Sequence, residues 1–123
     1  VNTHRISEAD IILLTIKPHQ VAHVVSEIAA QAPQALWVSA VSGWSLTQLS
    51  ELTPNHYKWM RVMPNIAAQF GESATCISYS GTFLTEMHPV VELFNALGIA
   101  VVIDEKLMDA ATVLGACGTA YAL

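Results

Sequence analysis

The sequence predicts an α/β fold built on a mostly parallel sheet that is doubly wound or of a related kind. Residues 11–16 form a continuous apolar run rather than an alternating one, which is typical of a parallel strand covered on both faces. Up to residue 65, strand and helix patterns alternate, beginning and ending with a strand. That order indicates parallel strands joined by right-handed crossovers.

Local signals predict where the elements of the first half begin and end. Pro18 suits the first turn of a helix, because its fixed φ angle is already helical. Ser45 is predicted to be the N-cap of a short helix, and Pro64, which lacks an N–H donor, is predicted to end the third strand. The predicted elements are a strand at 11–16, a helix at 19–32, a strand at 35–41, a helix at 46–52 and a strand at 57–63.

The second half repeats the pattern in a less regular form. Pro89 falls inside an amphipathic stretch, so we expect that helix to kink or to break in two. Asp104 is expected to begin a helix whose first turns carry acidic residues, which the helix dipole favours. The predicted elements are a loop at 66–73, a strand at 74–79, a helix at 82–97, a strand at 99–103 and a helix from 104 onward.

Polar or glycine-containing turns follow all three strands of the first half, at Lys17, at Ser42 with Gly43, and at Asn65. Because the carboxyl ends of parallel strands meet at one edge of a sheet, we expect these turns to lie side by side and to form a ligand site. Lys17 could meet a phosphate or a ribose there, although an exposed lysine at a helix start fits equally well. The Asn65 amide could hold a flat, amide-bearing ligand such as a nicotinamide; a plain strand-to-loop turn is the alternative.

The composition excludes several classes of partner. The chain is 53% hydrophobic and 12% charged, against about 25% charged residues in a typical domain, so we expect part of its apolar surface to meet another domain, chain or segment. A net charge of −5 with five Lys and Arg argues against nucleic-acid binding. No apolar run reaches the roughly 18 residues of a membrane span, and the first residues do not resemble a signal peptide. We therefore expect a cytoplasmic protein.

Metal and thiol chemistry are not expected to contribute. His19 and His23 have the i, i+4 spacing of a metal pair, but no third ligand is near, so a solvated helix face is favoured. Cys76 and Cys117 are expected to be reduced thiols. The residues contain no glycine-rich phosphate loop and no recognisable catalytic group, so a dinucleotide site made by this chain alone would lack its pyrophosphate-binding loop.

Four segments resemble the pyrroline-5-carboxylate reductase family. Residues 15–18 (Thr-Ile-Lys-Pro) are similar to the family's Ala-Val-Lys-Pro strand end, and residues 38–43 to its Ser-x-Ala-Ala-Gly turn, with Ser42 where the family usually has Ala. Residues 61–65 (Arg-Val-Met-Pro-Asn) are similar to Arg-x-Met-Pro-Asn. Residues 104–121 resemble the Glu-x-x-x-Asp-Ala helix that leads to Ser-Gly-Ser-Gly-Pro-Ala-Tyr.

The resemblance implies the C-terminal part of a Rossmann-type NAD(P)-binding domain at 1–103 and the first helix of a helical dimerisation domain at 104–123. It also implies NADPH- or NADH-dependent reduction of 1-pyrroline-5-carboxylate to proline, the last step of proline biosynthesis, by a homodimer or larger homo-oligomer. The family's glycine-rich loop and its substrate-binding Ser-Pro-Gly-Gly segment would lie outside these residues. The chain alone is therefore expected to have little activity.

The resemblance also assigns the cofactor-binding residues by position. It places Ile16 and Lys17 on the adenosine and phosphate side, and Ser42 and Gly43 near the ribose and nicotinamide. The expected set is Ile16, Lys17, Pro18, Ser42, Gly43, Met63, Pro64 and Asn65. Two alternatives stay open: a related β-hydroxyacid- or prephenate-type dehydrogenase, and a non-catalytic relative that acts as an interaction domain.

Overall fold

The strands of the chain form one sheet whose spatial order follows the sequence. The computed structural model describes residues 6–54, 56–67 and 72–108, with the backbone alone at 64–67, 72 and 73. The strands are β1 (Ile11–Leu14), β2 (Leu36–Ser39), β3 (Lys58–Ala67), β4 (Glu72–Tyr79) and β5 (Gly98–Val102), and the helices are α1 (Val21–Ile28), α2 (Leu46–Glu51) and α3 (His88–Ala96). Single 3-10 turns cover Pro18–Gln20, Ala29–Gln31 and Thr85–Met87.

Three of the four strand pairings are parallel. Leu14 of β1 lies opposite Ser39 of β2, and Ser39 lies opposite Arg61 of β3. β4 runs antiparallel to β3, and β5 runs parallel to β4. The predicted α/β class with a mostly parallel sheet is confirmed.

Helices cover both faces of this sheet. α1 and α2 pack on one face around Trp37 and Trp59, whereas α3 packs on the other around Met60 and Ile77. The change of face follows from the reversal of β4. A right-handed crossover from a strand of opposite direction places its helix on the opposite side of the sheet.

The two tryptophans on the first face of the sheet donate hydrogen bonds inside the core. The Trp37 and Trp59 rings lie 5.5 Å apart, centroid to centroid. Trp37 Nε1 donates to the Ala32 carbonyl at 3.2 Å, and Trp59 Nε1 donates to Thr53 Oγ1 at 3.0 Å. Buried indoles require such partners, so these bonds help to fix how the connections around α1 and α2 lie on the sheet.

The predicted end of the third strand at Pro64 is wrong. β3 continues through Pro64 and Asn65 to Ala67, which pairs with Glu72 of β4. The predicted loop at 66–73 therefore lies partly within this long hairpin. Beyond Arg61, β3 has lost β2 and pairs with β4 alone, and such an edge position tolerates a proline.

Other local signals were read correctly. Ser45 caps α2, since its Oγ accepts a hydrogen bond from Gln48 N at 3.1 Å. The expected break at Pro89 is confirmed, because a 3-10 turn ends at Met87 and α3 begins at His88 with the proline in its first turn. Residues 105–108 are helical as expected, whereas the predicted continuation of this helix from 109 lies outside the described residues.

The expectation that Cys76 is a reduced thiol is wrong. It is buried in β4 and disulfide-bonded. Cys117 lies outside the described residues.

The apolar excess of the composition has a visible counterpart on the surface. Exposed large apolar side chains occur on β1, on and just after α3, and on and after β5, at Ile11, Leu13, Leu93, Leu97, Ile99, Val102 and Leu107. The described part of the chain contains no helix of the length and hydropathy needed to cross a membrane.

Candidate functional site

A cleft of about 470 Å³ lies between the ends of β1 and β2. The parallel pairing of these strands brings their following turns to the same edge of the sheet. The cleft is lined by Thr15, Ile16, Lys17, Pro18, Gln20, Ala40, Val41 and Ser42. The structure thus brings together four of the residues singled out from the sequence, at 16, 17, 18 and 42.

The lining of this cleft suits an anionic or hydrogen-bonding ligand. It includes a lysine, Lys17, and two hydroxyl-bearing residues, Thr15 and Ser42, and no carboxylate-bearing residue occurs among its described lining residues. Lys17 and Ser42 are exposed. A phosphate- or ribose-bearing ligand would meet donors and a positive charge here without repulsion from an acidic side chain.

The first wall of the cleft is the turn after β1. Lys17 has an extended backbone (φ −73°, ψ 147°), and Pro18 begins the 3-10 turn that leads into α1. The Lys17 N–H donates to Gln20 Oε1 at 3.2 Å, which fixes the entry to this turn. Lys17 lines the cleft and is exposed.

The second wall is the turn after β2. Gly43 has a φ angle of 85°, a left-handed conformation that other residues adopt only with strain. Before it, Val41 N donates to the buried Ser39 Oγ at 3.2 Å. After it, Ser45 N donates to Gln48 Oε1 at 3.0 Å and completes the capping box of α2. The turn is therefore held on both sides of its glycine.

Trp44 joins the two walls. Its Nε1 donates to the Pro18 carbonyl at 2.9 Å, across 26 residues of sequence. The ring also packs against the core cluster under α1 and α2. Trp44 was not predicted as a site residue, because a long-range bond from a side chain to a carbonyl has no local sequence signal.

The third strand end does not line this cleft. β3 runs parallel to β2, so its C-terminal half points toward the same edge, and Asn65 lies opposite Ala74 of β4. Met63 is half-buried and packs in a separate cluster that includes Cys76 and Met108. The side chains of Pro64 and Asn65 lie outside the described residues, so the roles assigned to residues 63–65 stay predictions.

Glu105 ties the beginning of α2 to the sheet. Its Oε1 accepts hydrogen bonds from Arg61 Nη1 at 2.8 Å and from Leu46 N at 3.1 Å. Its Oε2 accepts one from Ser78 Oγ at 2.6 Å. Arg61 is buried and forms an ion pair with this carboxylate. This carboxylate therefore anchors the helix that follows the second wall.

The alternation of parallel strands and helices, with a cleft at the strand ends, defines a Rossmann-type α/β region. No protein-family model matches the chain. The chain is 34% identical over 123 residues to the pyrroline-5-carboxylate reductase of Kluyveromyces lactis, covering 99% of this chain and 42% of the relative. It is 35% identical over 119 residues to the enzyme of that name from Arabidopsis thaliana, covering 94% and 42%.

Solved structures agree with these relatives. A Plasmodium falciparum pyrroline carboxylate reductase with NADP bound matches with a TM-score of 0.81 at 30% identity, over 95% of this chain and 45% of that one. A Streptococcus pyogenes 1-pyrroline-5-carboxylate reductase matches with a TM-score of 0.78 at 26% identity, over 98% and 46%. The chain matches pyrroline-5-carboxylate reductases over nearly its whole length, as a fragment of that family, and spans less than half the length of the relatives it matches.

Proposed function

We propose that the protein containing this chain reduces 1-pyrroline-5-carboxylate to proline with NADPH or NADH. The observation that carries the proposal is family likeness along nearly the whole chain, joined to a cleft at the ends of β1 and β2 whose described lining residues include no carboxylate. The relatives bear the name of this reductase, and one solved relative binds NADP. The chemistry of the cleft suits a phosphate-bearing cofactor.

The chain's own residues would bind and orient the cofactor. Lys17 is an exposed residue of the cleft lining, and its ammonium would pair with a phosphate or hydrogen-bond a ribose hydroxyl. Ile16 and Pro18 would supply the apolar sides of that wall, and Ser42 with Gly43 would lie near the ribose and nicotinamide. Met63, Pro64 and Asn65 would approach the nicotinamide from β3.

This division of labour explains why the sequence shows no catalytic acid or base. The nicotinamide, when bound, supplies the hydride that reduces the C=N carbon of the cyclic imine. The protein's part is to align the reacting groups and to keep water away from them. Residues that bind and orient therefore suffice for this chain's share of the reaction.

The same proposal covers organisation and location. Residues 1–103 would form the C-terminal part of the cofactor-binding domain, and residues 104–123 the first helix of a helical domain through which two or more copies associate. The expected location is the cytoplasm. Glu105, which contacts α2, β3 and β4, would then hold the first turn of the helical domain against the sheet.

The test uses the complete protein that contains this chain. NADPH oxidation is followed by absorbance at the nicotinamide band, with and without pyrroline-5-carboxylate, and proline is measured as the product. We expect oxidation only when the imine is present. Oxidation with a prephenate or β-hydroxyacid substrate in the panel instead would reassign the reaction, and calorimetry showing no NADPH or NADH binding would reject cofactor use altogether.

A further inference from the structure

The chain has three tryptophans, and each donates its indole N–H to an oxygen. Trp37 and Trp59 do so within the core, where both are fully buried. Trp44 does so between the two turns that wall the cleft. One indole of the three therefore acts at the candidate site rather than in the interior.

The position of Trp44 allows its side chain to connect these two turns. Gly43, with its φ angle of 85°, turns the chain just before it, and the Ser45 cap fixes the chain just after it. Its ring packs on the core, so the indole has little freedom. Its 2.9 Å bond therefore holds the Pro18 carbonyl at a set distance from the second wall.

We propose that Trp44 is a positioning residue that sets the spacing of the two cleft walls for the dinucleotide, a role that rests on the proposed function. Trp44 is absent from the lining of the cleft, so it acts through Pro18 and Ser42 rather than by touching the ligand. Pro18 and its neighbour Lys17 move with one wall, and Ser42 moves with the other. Loss of the hydrogen bond from Trp44 to Pro18 lets the two walls separate. Part of the free energy of cofactor binding is then used to restore their spacing.

The central variant is Trp44→Phe, which keeps an aromatic ring and removes the N–H donor. NADPH is titrated into the complete protein by calorimetry, and steady-state kinetics give the KM for NADPH, the KM for the imine, and kcat. Loss of one such bond is expected to raise the Kd and KM for NADPH roughly three- to tenfold. The imine KM and kcat stay within about twofold, because Trp44 does not contact the reacting atoms.

A second variant removes the hydrogen bond without changing the shape of the side chain. Replacing Trp44 with 3-benzothienylalanine puts a sulfur atom where the N–H was, so packing is conserved even if Trp44→Phe folds poorly. The same rise in the Kd for NADPH is expected. A wild-type Kd in this variant overturns the proposal, because it shows that the N–H is dispensable.

Trp37→Phe is the matched control. It also removes an indole-to-carbonyl bond, the 3.2 Å bond to Ala32, but at the end of β2 remote from the cleft. It is expected to lower stability more than Trp44→Phe does, since Trp37 is fully buried, while the Kd for NADPH stays at the wild-type value. Equal weakening of NADPH binding in both variants overturns the proposal. Failure of the wild-type protein to bind NADPH or NADH rejects the proposed function itself, and this inference with it.

Discussion

Arg61 and Glu105 form an ion pair of 2.8 Å in which the arginine side chain is 2% exposed and the glutamate side chain 28%. Because the arginine is buried more deeply than the glutamate, removing Glu105 and removing Arg61 should lower the free energy of unfolding by different amounts. Glu105→Ala leaves a buried guanidinium without this carboxylate, which should lower the free energy of unfolding by about 3 kcal/mol. Arg61→Met leaves a partly exposed carboxylate that keeps Leu46 N and Ser78 Oγ as donors, so its cost should be smaller.

Urea unfolding of the two single variants and of the double variant tests this order. The double variant should be more stable than Glu105→Ala alone, because it no longer buries an unpaired charge. Glu92→Ala, at an exposed position on α3, is the control and should change the free energy of unfolding by less than about 0.5 kcal/mol. Equal stability of Glu105→Ala and wild type would contradict the assigned pair.

Two glycines allow backbone strain to be separated from ligand binding. Gly43 has a φ angle of 85° and Gly81 one of 69°, and a Cβ at either would meet no atom within 4 Å. Alanine at each position should therefore cost about 1–2 kcal/mol through strain alone. Only Gly43 lies next to the cleft, so only Gly43→Ala should also weaken NADPH binding. Thermal unfolding gives the stability cost and calorimetry the affinity; equal NADPH affinity in both variants would remove Gly43 from the site.

The regular parts of the fold were predictable because they depend on local patterns. The continuous apolar run at 11–16 identified the parallel strand β1, and Ser45 marked the beginning of α2. The end of β3 was not predictable, because it depends on where neighbouring strands stop. Pro64 is tolerated since β2 already ends opposite Arg61, and that is a fact about the sheet rather than about the residues around the proline.

The candidate site divides in the same way. Lys17 and Ser42 stood out because they follow strand patterns, and parallel pairing then brings their turns to one edge. Trp44 and Glu105 reach their partners across 26 and 59 residues of sequence, to Pro18 and Leu46 respectively. Contacts at such separations are set by packing and leave no periodic signal.

The charge of Lys17 is expected to contribute to cofactor affinity. Lys17→Met removes the one cation among the described lining residues of the cleft, so the Kd for NADPH should rise roughly five- to tenfold at low ionic strength. Because an exposed charge is screened, the difference from wild type should shrink as salt is added. Lys106→Met, at an exposed lysine beyond β5, is the control and should bind NADPH as wild type does. Unchanged affinity in Lys17→Met would leave Lys17 as an ordinary lysine at a helix start.

The pair formed by Lys58 and Glu86 should make the stability of the fold depend on pH in the acid range. A hydrogen bond from Lys58 Nζ to Glu86 Oε2, 2.8 Å long, is the main reason why the pKa of the Glu86 carboxyl lies below its usual 4.5. A lowered pKa means that the folded state favours the ionised carboxylate. The pair therefore stabilises the fold above the unfolded pKa, and this contribution is lost as the pH falls through the folded pKa.

Carbon-13 NMR titration of the glutamate carboxyls should accordingly place the Glu86 midpoint below 4.5, whereas Lys58→Met should move it upward. Lys106→Met, which removes a lysine elsewhere, should leave the midpoint where it was. Urea unfolding should show the stability difference between wild type and Glu86→Gln shrinking as the pH drops below the folded pKa, because both carry a neutral side chain there. A midpoint that Lys58→Met fails to move would mean that the hydrogen bond does not govern the ionisation of Glu86.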